Sequence, residues 1–380
     1  MPEGSPTRTV SIIGTRGYPS YYGGFETAVR KIAPALVDAG WEVTVYGRDG
    51  STRDSDPDRD ARVKTRVTRG LETKSVSTLT YGFTAVLDTF VRKPDVALVM
   101  NVANGFWLPL LVLRGVPTLV NVDGIEWERA KWGRLAKFVF KTGARATAAF
   151  GTRLVGDAHE IVRRWRVEFR RDAVFIPYGG EEPGLLPVEP GLERRGYALA
   201  VARFVPENTI SEFIEAARHV SETHDVVIVG SSGYGGEFDE RVKALADESP
   251  RVSWLGHVSD DARLLALWQH AGAYFHGHSV GGTNPALVQA MLCGAPVVAR
   301  DTVYNREVLD SAGVFVEPDP GAIARALLGV LADPARQKSL SLKAQDRART
   351  HYTWAQVCSR YEQELAALVD AGHADWVTEE

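Results

Sequence analysis

One unit of pattern recurs in both halves of the chain: a short apolar strand, a glycine-rich loop, then an amphipathic helix. In the first half Val10–Ile13 reads as a strand, GTRGYPSYYGG as the loop, and Phe25, Val29, Ile32 and Leu36 as one helical face closed by Gly40. Trp41–Tyr46 then alternates as a second strand, completing a βαβ unit. Further strands are expected at Asp95–Asn101 and Thr118–Val122. The pattern restarts at Tyr197, with a strand at Ala198–Arg203, a helix at Ser211–Val220, a strand at Asp225–Val229 and a second glycine loop, GSSGYGG. Val252–Leu255, Tyr274–Phe275, Pro296–Ala299 and Gly313–Val316 continue the strand series. Strands alternating with helices predict parallel sheets covered by helices, an α/β fold with two Rossmann-like halves.

The tract PYGGEEPGLLPVEPG, rich in Pro and Gly, reads as the linker between the halves. The expected domains are residues 1–180, 181–352 and a closing helical segment, 353–380. A length of 380 residues suits two domains. A net charge of -4 argues against a chain built to coat nucleic acid. Cys293 and Cys358 lie in no CxxC or Cys/His cluster, which disfavours a disulfide framework or a structural zinc and suits a reducing, cytoplasmic setting. The first apolar run is too short for a signal peptide. The greasiest stretch, FWLPLLVLRGVPTLVNV, is broken by Arg114, Gly115 and Pro117, so no membrane span is expected.

Both glycine loops lead into helices, where free backbone N–H groups and the helix dipole favour a phosphate. In the first, Gly23 and Gly24 immediately precede the helix. A turn that needs glycine for geometry alone gives the same pattern, and the spacing is not that of a dinucleotide fingerprint. A second cluster, HGHSVGGTNPALVQAMLCGAPVVA, starts at His276 and places Gly281 and Gly282 before a helix opening at Pro285. One such loop per domain suits a ligand gripped between them.

GTRGYPSYYGGFET, NVDGIEWERAKW, VARFVPEN and GHSVGGTNPALVQAM, in that order from about Val10 to Tyr361, resemble the retaining glycosyltransferases of family 4. The branch with a rhamnosyltransferase-type N-terminal domain is the nearest likeness. The resemblance implies the GT-B architecture, with the last helix crossing back to the N-terminal domain. It implies that the C-terminal domain binds a nucleotide-sugar donor and the N-terminal domain an acceptor. Arg203 matches the arginine that pairs with the donor diphosphate, a role suited to a guanidinium fork. Asn208 stands where many relatives have a lysine. The family's paired glutamates fall at Gly281 and Gln289, so both carboxylates are missing here. A glutamine still accepts a ribose hydrogen bond, without charge. His278, Thr283 and Asn284 complete the donor-binding candidates with Gly23 and Gly24.

Asp123 follows the strand Thr118–Val122, where an α/β active site belongs. There it would orient the acceptor hydroxyl, take its proton or steady positive charge in the transition state. An aspartate needed only for an Asp-Gly turn is the alternative. Glu126 and Glu128 read first as structural or solvated, yet Glu126 and Trp127, with Tyr21 and Tyr22, form the acceptor-binding set. Asp54, Asp56, Asp58 and Asp60 imitate a DxD metal site but sit in a charged, turn-rich segment, so neither a metal nor another cofactor is expected. From Trp127 to Arg171, twelve Lys/Arg face four Asp/Glu, interleaved with Trp127, Trp132, Phe138, Phe140, Trp165 and Phe169. Basic residues with aromatic anchors suit an anionic membrane surface and a lipid-linked acceptor; solvated helix faces over core aromatics give the same composition. The expected reaction is hexosyl transfer from a nucleotide sugar, rhamnosyl from dTDP-rhamnose by branch resemblance, for surface polysaccharide assembly. A sugar-nucleotide epimerase and a scaffolding subunit with weakened activity are the alternatives.

Overall fold

The computed structural model describes residues 7–21, 23–52, 55–71, 77–129, 132–233 and 235–377, with side chains through Gly372. The chain divides into two compact units, residues 1–177 with 354–380, and residues 178–353. Each contains one wholly parallel sheet.

The strands of the first unit are β1 (Thr9–Ile13), β2 (Glu42–Arg48), β3 (Lys64–Thr68), β4 (Val96–Met100), β5 (Thr118–Asn121), β6 (Arg153–Gly156) and β7 (Val174–Phe175). Their order in the sheet is β3-β2-β1-β4-β5-β6-β7. The chain builds outward from β1 in one direction, then returns to build in the other. That reversal, between β1 and β4, is where ligand crevices open in such sheets. Central strands have helices on both faces and therefore read as unbroken apolar runs; all five residues of β4, VALVM, are buried. Helix Trp354–Val377 belongs to this unit and packs on helix Gly24–Asp38, β4 and β5.

The second unit contains β8 (Tyr197–Val201), β9 (Asp225–Val229), β10 (Val252–Gly256), β11 (Ala273–His276), β12 (Val297–Arg300) and β13 (Gly313–Val316), in the order β10-β9-β8-β11-β12-β13. Its reversal lies between β8 and β11. Five helices here start on side-chain caps, with Asp260, Asn284, Thr302, Asp319 and Asp333 each accepting a backbone N–H of the first turn.

Several elements depart from the expectation. Strands β3, β6 and β7 were not anticipated, and Phe175 was expected in the linker. The first is the charged edge segment KTRVT, the second is four residues long and the third two. Strand β2 continues past Tyr46 to Arg48. Strand β8 stops at Val201, so Arg203 lies beyond the sheet rather than in it.

Candidate active site

In the second unit, the loops leaving β8 and β11 are neighbours at the sheet's reversal and are stitched together. After β8, a single 3₁₀ turn, Pro206–Asn208, is closed by the Asn208 side chain, whose Nδ2 donates to the Arg203 carbonyl at 2.9 Å. Thr209 follows at φ +57° and sends its hydroxyl to the Gly277 carbonyl at 2.6 Å, while Arg300 donates to the same hydroxyl at 3.0 Å. Ser279 donates both its backbone N–H and its hydroxyl to the Glu207 carbonyl. Gly277 has no room for a side chain, since a Cβ there would lie 2.3 Å from the Asn208 carbonyl oxygen. Asn208 is buried and serves this joint. Arg203 is exposed at the same loop, and its guanidinium makes no ion pair among the described residues.

The loop after β11 continues through His278, Gly281 and Gly282 to Thr283 and Asn284. Gly281 takes φ +100°, a conformation that favours glycine. Thr283 is buried, and Asn284 caps helix Pro285–Leu292 by accepting the Ala286 N–H at 3.0 Å. The His278 ring stacks on His276 at 4.5 Å, and its carbonyl is held by Asn305. His276 is fully buried beside the Tyr274 hydroxyl, 3.1 Å from Nδ1. Burial first, and the nearby His278 second, hold its pKa well below the usual imidazole range. Gln289 lies farther along the same helix, and its amide is engaged by backbone. Nε2 donates to the Glu181 carbonyl at 2.6 Å, and Oε1 accepts the Glu181 N–H at 3.1 Å.

In the first unit, Asp123 sits just past β5 at φ +56°, half-buried. Its N–H is accepted at 2.9 Å by Oδ1 of buried Asn121, the last residue of β5. Asn121 in turn donates to the Tyr361 hydroxyl at 2.6 Å. Burial pushes the Tyr361 phenol up, its hydrogen bond from Asn121 opposes this, and the charges of Asp157 and Asp123 add to the rise. The end of β4 is equally tight, with Asn101 at φ +75°, and the end of β1 meets it through Gly14. A Cβ on Gly14 would fall 2.1 Å from the Met100 carbonyl oxygen. The glycine requirement of the first loop therefore lies at Gly14, with φ +94°, and Gly17, with φ +152°, and not at Gly23, whose backbone is extended. Gly24 is the first residue of the helix.

Among the described acceptor candidates, Glu126 and Trp127 are buried and Tyr21 is exposed. Trp127 is buried against Trp165 and Phe169, edge-on to both. Glu126 is buried between Arg129, at 2.6 Å, and the Trp132 indole N–H, at 2.7 Å. Glu128 pairs with Arg164. Tyr21 is exposed, donates to Asp56 at 3.0 Å and carries the Arg30 guanidinium 4.0 Å above its ring. Tyr22 and Asp54 lie outside the described residues. Asp56 also accepts the Asp58 N–H, and Asp60 is paired with Arg62. No group of three or more His, Cys, Asp or Glu placed to hold a metal occurs among the described residues.

Sequence reading passed over Asn121, Tyr361 and Thr209. Asn121 is two residues before Asp123 at a strand end, a position from which a short amide reaches the following turn. Nothing local marks Tyr361 or Thr209 as their partners.

No described helix is long and apolar enough to cross a membrane. Residues 23–179 match the family described as glycosyl transferase 4-like domain, and residues 187–347 match glycosyl transferases group 1. A phosphatidyl-myo-inositol mannosyltransferase of Mycolicibacterium smegmatis is 29% identical over 226 residues, 56% of this chain and 57% of that one. The O-antigen chain mannosyltransferase B of Escherichia coli is 27% identical over 42% of this chain and 43% of its own. The matched region thus spans about half the length of these curated relatives. Among solved structures, sucrose-phosphate synthase from Thermosynechococcus elongatus superposes with a TM-score of 0.80 at 20% identity, covering 96% of this chain and all (100%) of that one. Anabaena HepE in complex with UDP superposes at 0.73 and 15% identity, covering 95% and 100%. The chain thus matches a glycosyl transferase 4-like domain and then a glycosyl transferases group 1 domain in succession, on two parallel-sheet, Rossmann-like units of the GT-B fold.

Proposed function

We propose that this chain transfers a hexosyl group from a nucleotide diphosphate sugar to a saccharide or lipid-linked saccharide in surface polysaccharide assembly. The observation that carries this reading is the joint between the β8 and β11 loops. It joins the loop that bears exposed Arg203 to the loop that leads through Gly281 and Gly282 into a capped helix N-terminus. A guanidinium fork and free helix N–H groups recognise a diphosphate. Asn208 supports the Arg203 loop rather than supplying the cation that a lysine would. His278, Thr283 and Asn284 are polar groups of the loop before this N-terminus, and they serve the sugar and phosphate end.

Transfer is read as retaining, by front-face attack in which the leaving diphosphate helps remove the acceptor proton. Asp123 then orients the acceptor hydroxyl or steadies the oxocarbenium-like charge, with no metal or other cofactor required. For the donor, rhamnose on dTDP rests on the N-terminal resemblance, whereas the names of the two mannosyltransferase relatives favour a mannosyl donor. Thermal-shift titration against dTDP-, GDP- and UDP-sugars decides between them. A ligand at ~100 times its dissociation constant stabilises the fold by ~2.7 kcal/mol. A shift with one sugar nucleotide, lost in Arg203→Ala, is the expected result; no shift with any of them favours a scaffolding subunit.

The membrane reading shifts to one helix. Trp127 and Trp165 are core residues and cannot anchor it. Helix Arg134–Phe150 contains no acidic residue and carries Arg134, Lys137, Lys141 and Arg145 at helical spacing. Beside that stripe Leu135 and Phe138 are 79% and 65% exposed. An apolar pair flanked by cations suits the cytoplasmic, anionic face of a membrane. Binding to vesicles containing anionic lipid, weakened by salt and by Phe138→Ser, is expected; equal binding to neutral vesicles contradicts it.

A further inference from the structure

We infer that Gln289 is a latch that ties the helix carrying the donor loop to the segment where the chain enters the second unit, rather than a ligand of the donor. The inference concerns the donor side of the proposed function, but its decisive readout does not depend on that reading.

The chain passes between units at residues 177/178 and again at 353/354. Just inside the second unit the two passes run side by side, with the Gly180 N–H donating to the Tyr352 carbonyl at 2.8 Å and Gly180 bridging Thr353 in parallel fashion. Glu182 adds an ion pair to Arg349. Glu181, between them, is held by Gln289 through both of its backbone polar groups. Nε2 donates to its carbonyl at 2.6 Å, and Oε1 accepts its N–H at 3.1 Å. A side-chain amide thereby imitates the pairing of a neighbouring strand. Gly180 is pressed onto the same helix, where a Cβ would lie 2.7 Å from Leu292 Cδ1, 3.1 Å from Val288 Cγ1 and 3.2 Å from Gln289 Oε1. Helix Pro285–Leu292 thus has the donor loop at its start and the crossing segment on its second half.

The chemistry requires an amide. A glutamine has a donor and an acceptor, matching the N–H and C=O of one residue; a carboxylate only accepts and would set lone pairs against the Glu181 carbonyl. The sequence departs from the family's glutamate at this position, and the structure shows what the amide does instead.

Gln289→Glu is the discriminating variant, because it restores a ribose acceptor while removing the latch's donor; Gln289→Met keeps the volume and removes both. The readouts are amide hydrogen exchange at residues 180–182 and the dissociation constants of UDP, dTDP and GDP. A latch speeds exchange at Glu181 by about tenfold or more in Gln289→Met, which removes the acceptor of that N–H, and by less in Gln289→Glu, whose carboxylate still accepts it but repels the Glu181 carbonyl. It leaves nucleotide affinity within about threefold. Unchanged exchange at Glu181 in both variants overturns the inference. So does nucleotide binding that tightens about tenfold in Gln289→Glu and weakens as much in Gln289→Met, the signature of a ribose ligand. If none of the three nucleotides binds the parent protein, the proposed donor site fails, while exchange at Glu181 still decides the latch.

Discussion

Asn121 links a candidate catalytic turn to a helix 240 residues away in sequence. Its Nδ2 donates to the Tyr361 hydroxyl at 2.6 Å while its Oδ1 accepts the Asp123 N–H at 2.9 Å. Both side chains are buried, so removing one partner strands the other. Tyr361→Phe is expected to destabilise the protein by ~1–3 kcal/mol in urea unfolding, the cost of a buried donor left unmade. A loss below a few tenths of a kcal/mol means that water or another group replaces the hydroxyl.

Asp123 allows structure and chemistry to be separated. At φ +56° an aspartate is mildly strained and a glycine is not. Asp123→Gly is therefore expected to keep the parent's thermal midpoint, or to raise stability by up to ~1 kcal/mol, while lowering turnover by ~100-fold or more. Turnover within about threefold of the parent would leave Asp123 a turn residue.

Arg203 makes no ion pair among the described residues, so Arg203→Ala should leave the melting temperature of the free protein unchanged. The same substitution should weaken nucleotide diphosphate binding by ~10- to 100-fold, the scale of one charge-assisted hydrogen-bonding pair. Calorimetric titration with the diphosphate and the monophosphate of one nucleoside checks this. Equal losses for both ligands would place Arg203 away from the second phosphate.

Buried His276 sets a pH dependence. Its folded-state pKa lies well below the ordinary imidazole value of about 6.5 that it regains on unfolding. Below pH ~6.5 the unfolded chain takes up a proton that the native state refuses, so stability falls as pH drops through that range, with a limiting slope of ~1.4 kcal/mol per pH unit for one proton. Urea unfolding at pH 7.5, 6.5 and 5.5 should show the decline, and His276→Gln should flatten it.

The two thiols should be inert. Burial pushes Cys293 and Cys358 up to about 12, so neither has appreciable thiolate at neutral pH. A thiol reagent should react with neither in the native protein at pH 7.5 and with both in denaturant; rapid labelling of the native form contradicts the burial.

What was legible in the sequence followed the local code. The apolar runs of β1, β4, β5, β8 and β9 announce central parallel strands, and Asn284-Pro285 announces a capped helix start. Strand β3 was not legible because KTRVT is a polar edge, with period-two burial too weak to stand out. At the site, Arg203, Asp123 and the Gly281–Asn284 loop were found because motif and strand-end position agree. Gln289 was read as a donor ligand, and its pairing within the fold was not legible. Its mate is the backbone of Glu181, 108 residues earlier, and a backbone group leaves no signature in sequence. The same reason hides Thr209, whose hydroxyl answers the Gly277 carbonyl, and Asn121, whose partner lies on a helix distant in the chain.

The double passage of the chain also orders its synthesis. Residues 178–353 form one continuous stretch whose two ends meet at Gly180 and Tyr352, so the second unit is an insertion with adjoining ends and has every long-range partner it needs once the ribosome has passed Thr353. The first unit begins earlier but must wait. Until Trp354–Val377 emerges, the apolar flank of β4 and β5 is uncovered and Asn121 lacks Tyr361. The half of the molecule made first is therefore the half that is finished last, and it relies on the second to form without trapping it in the interval.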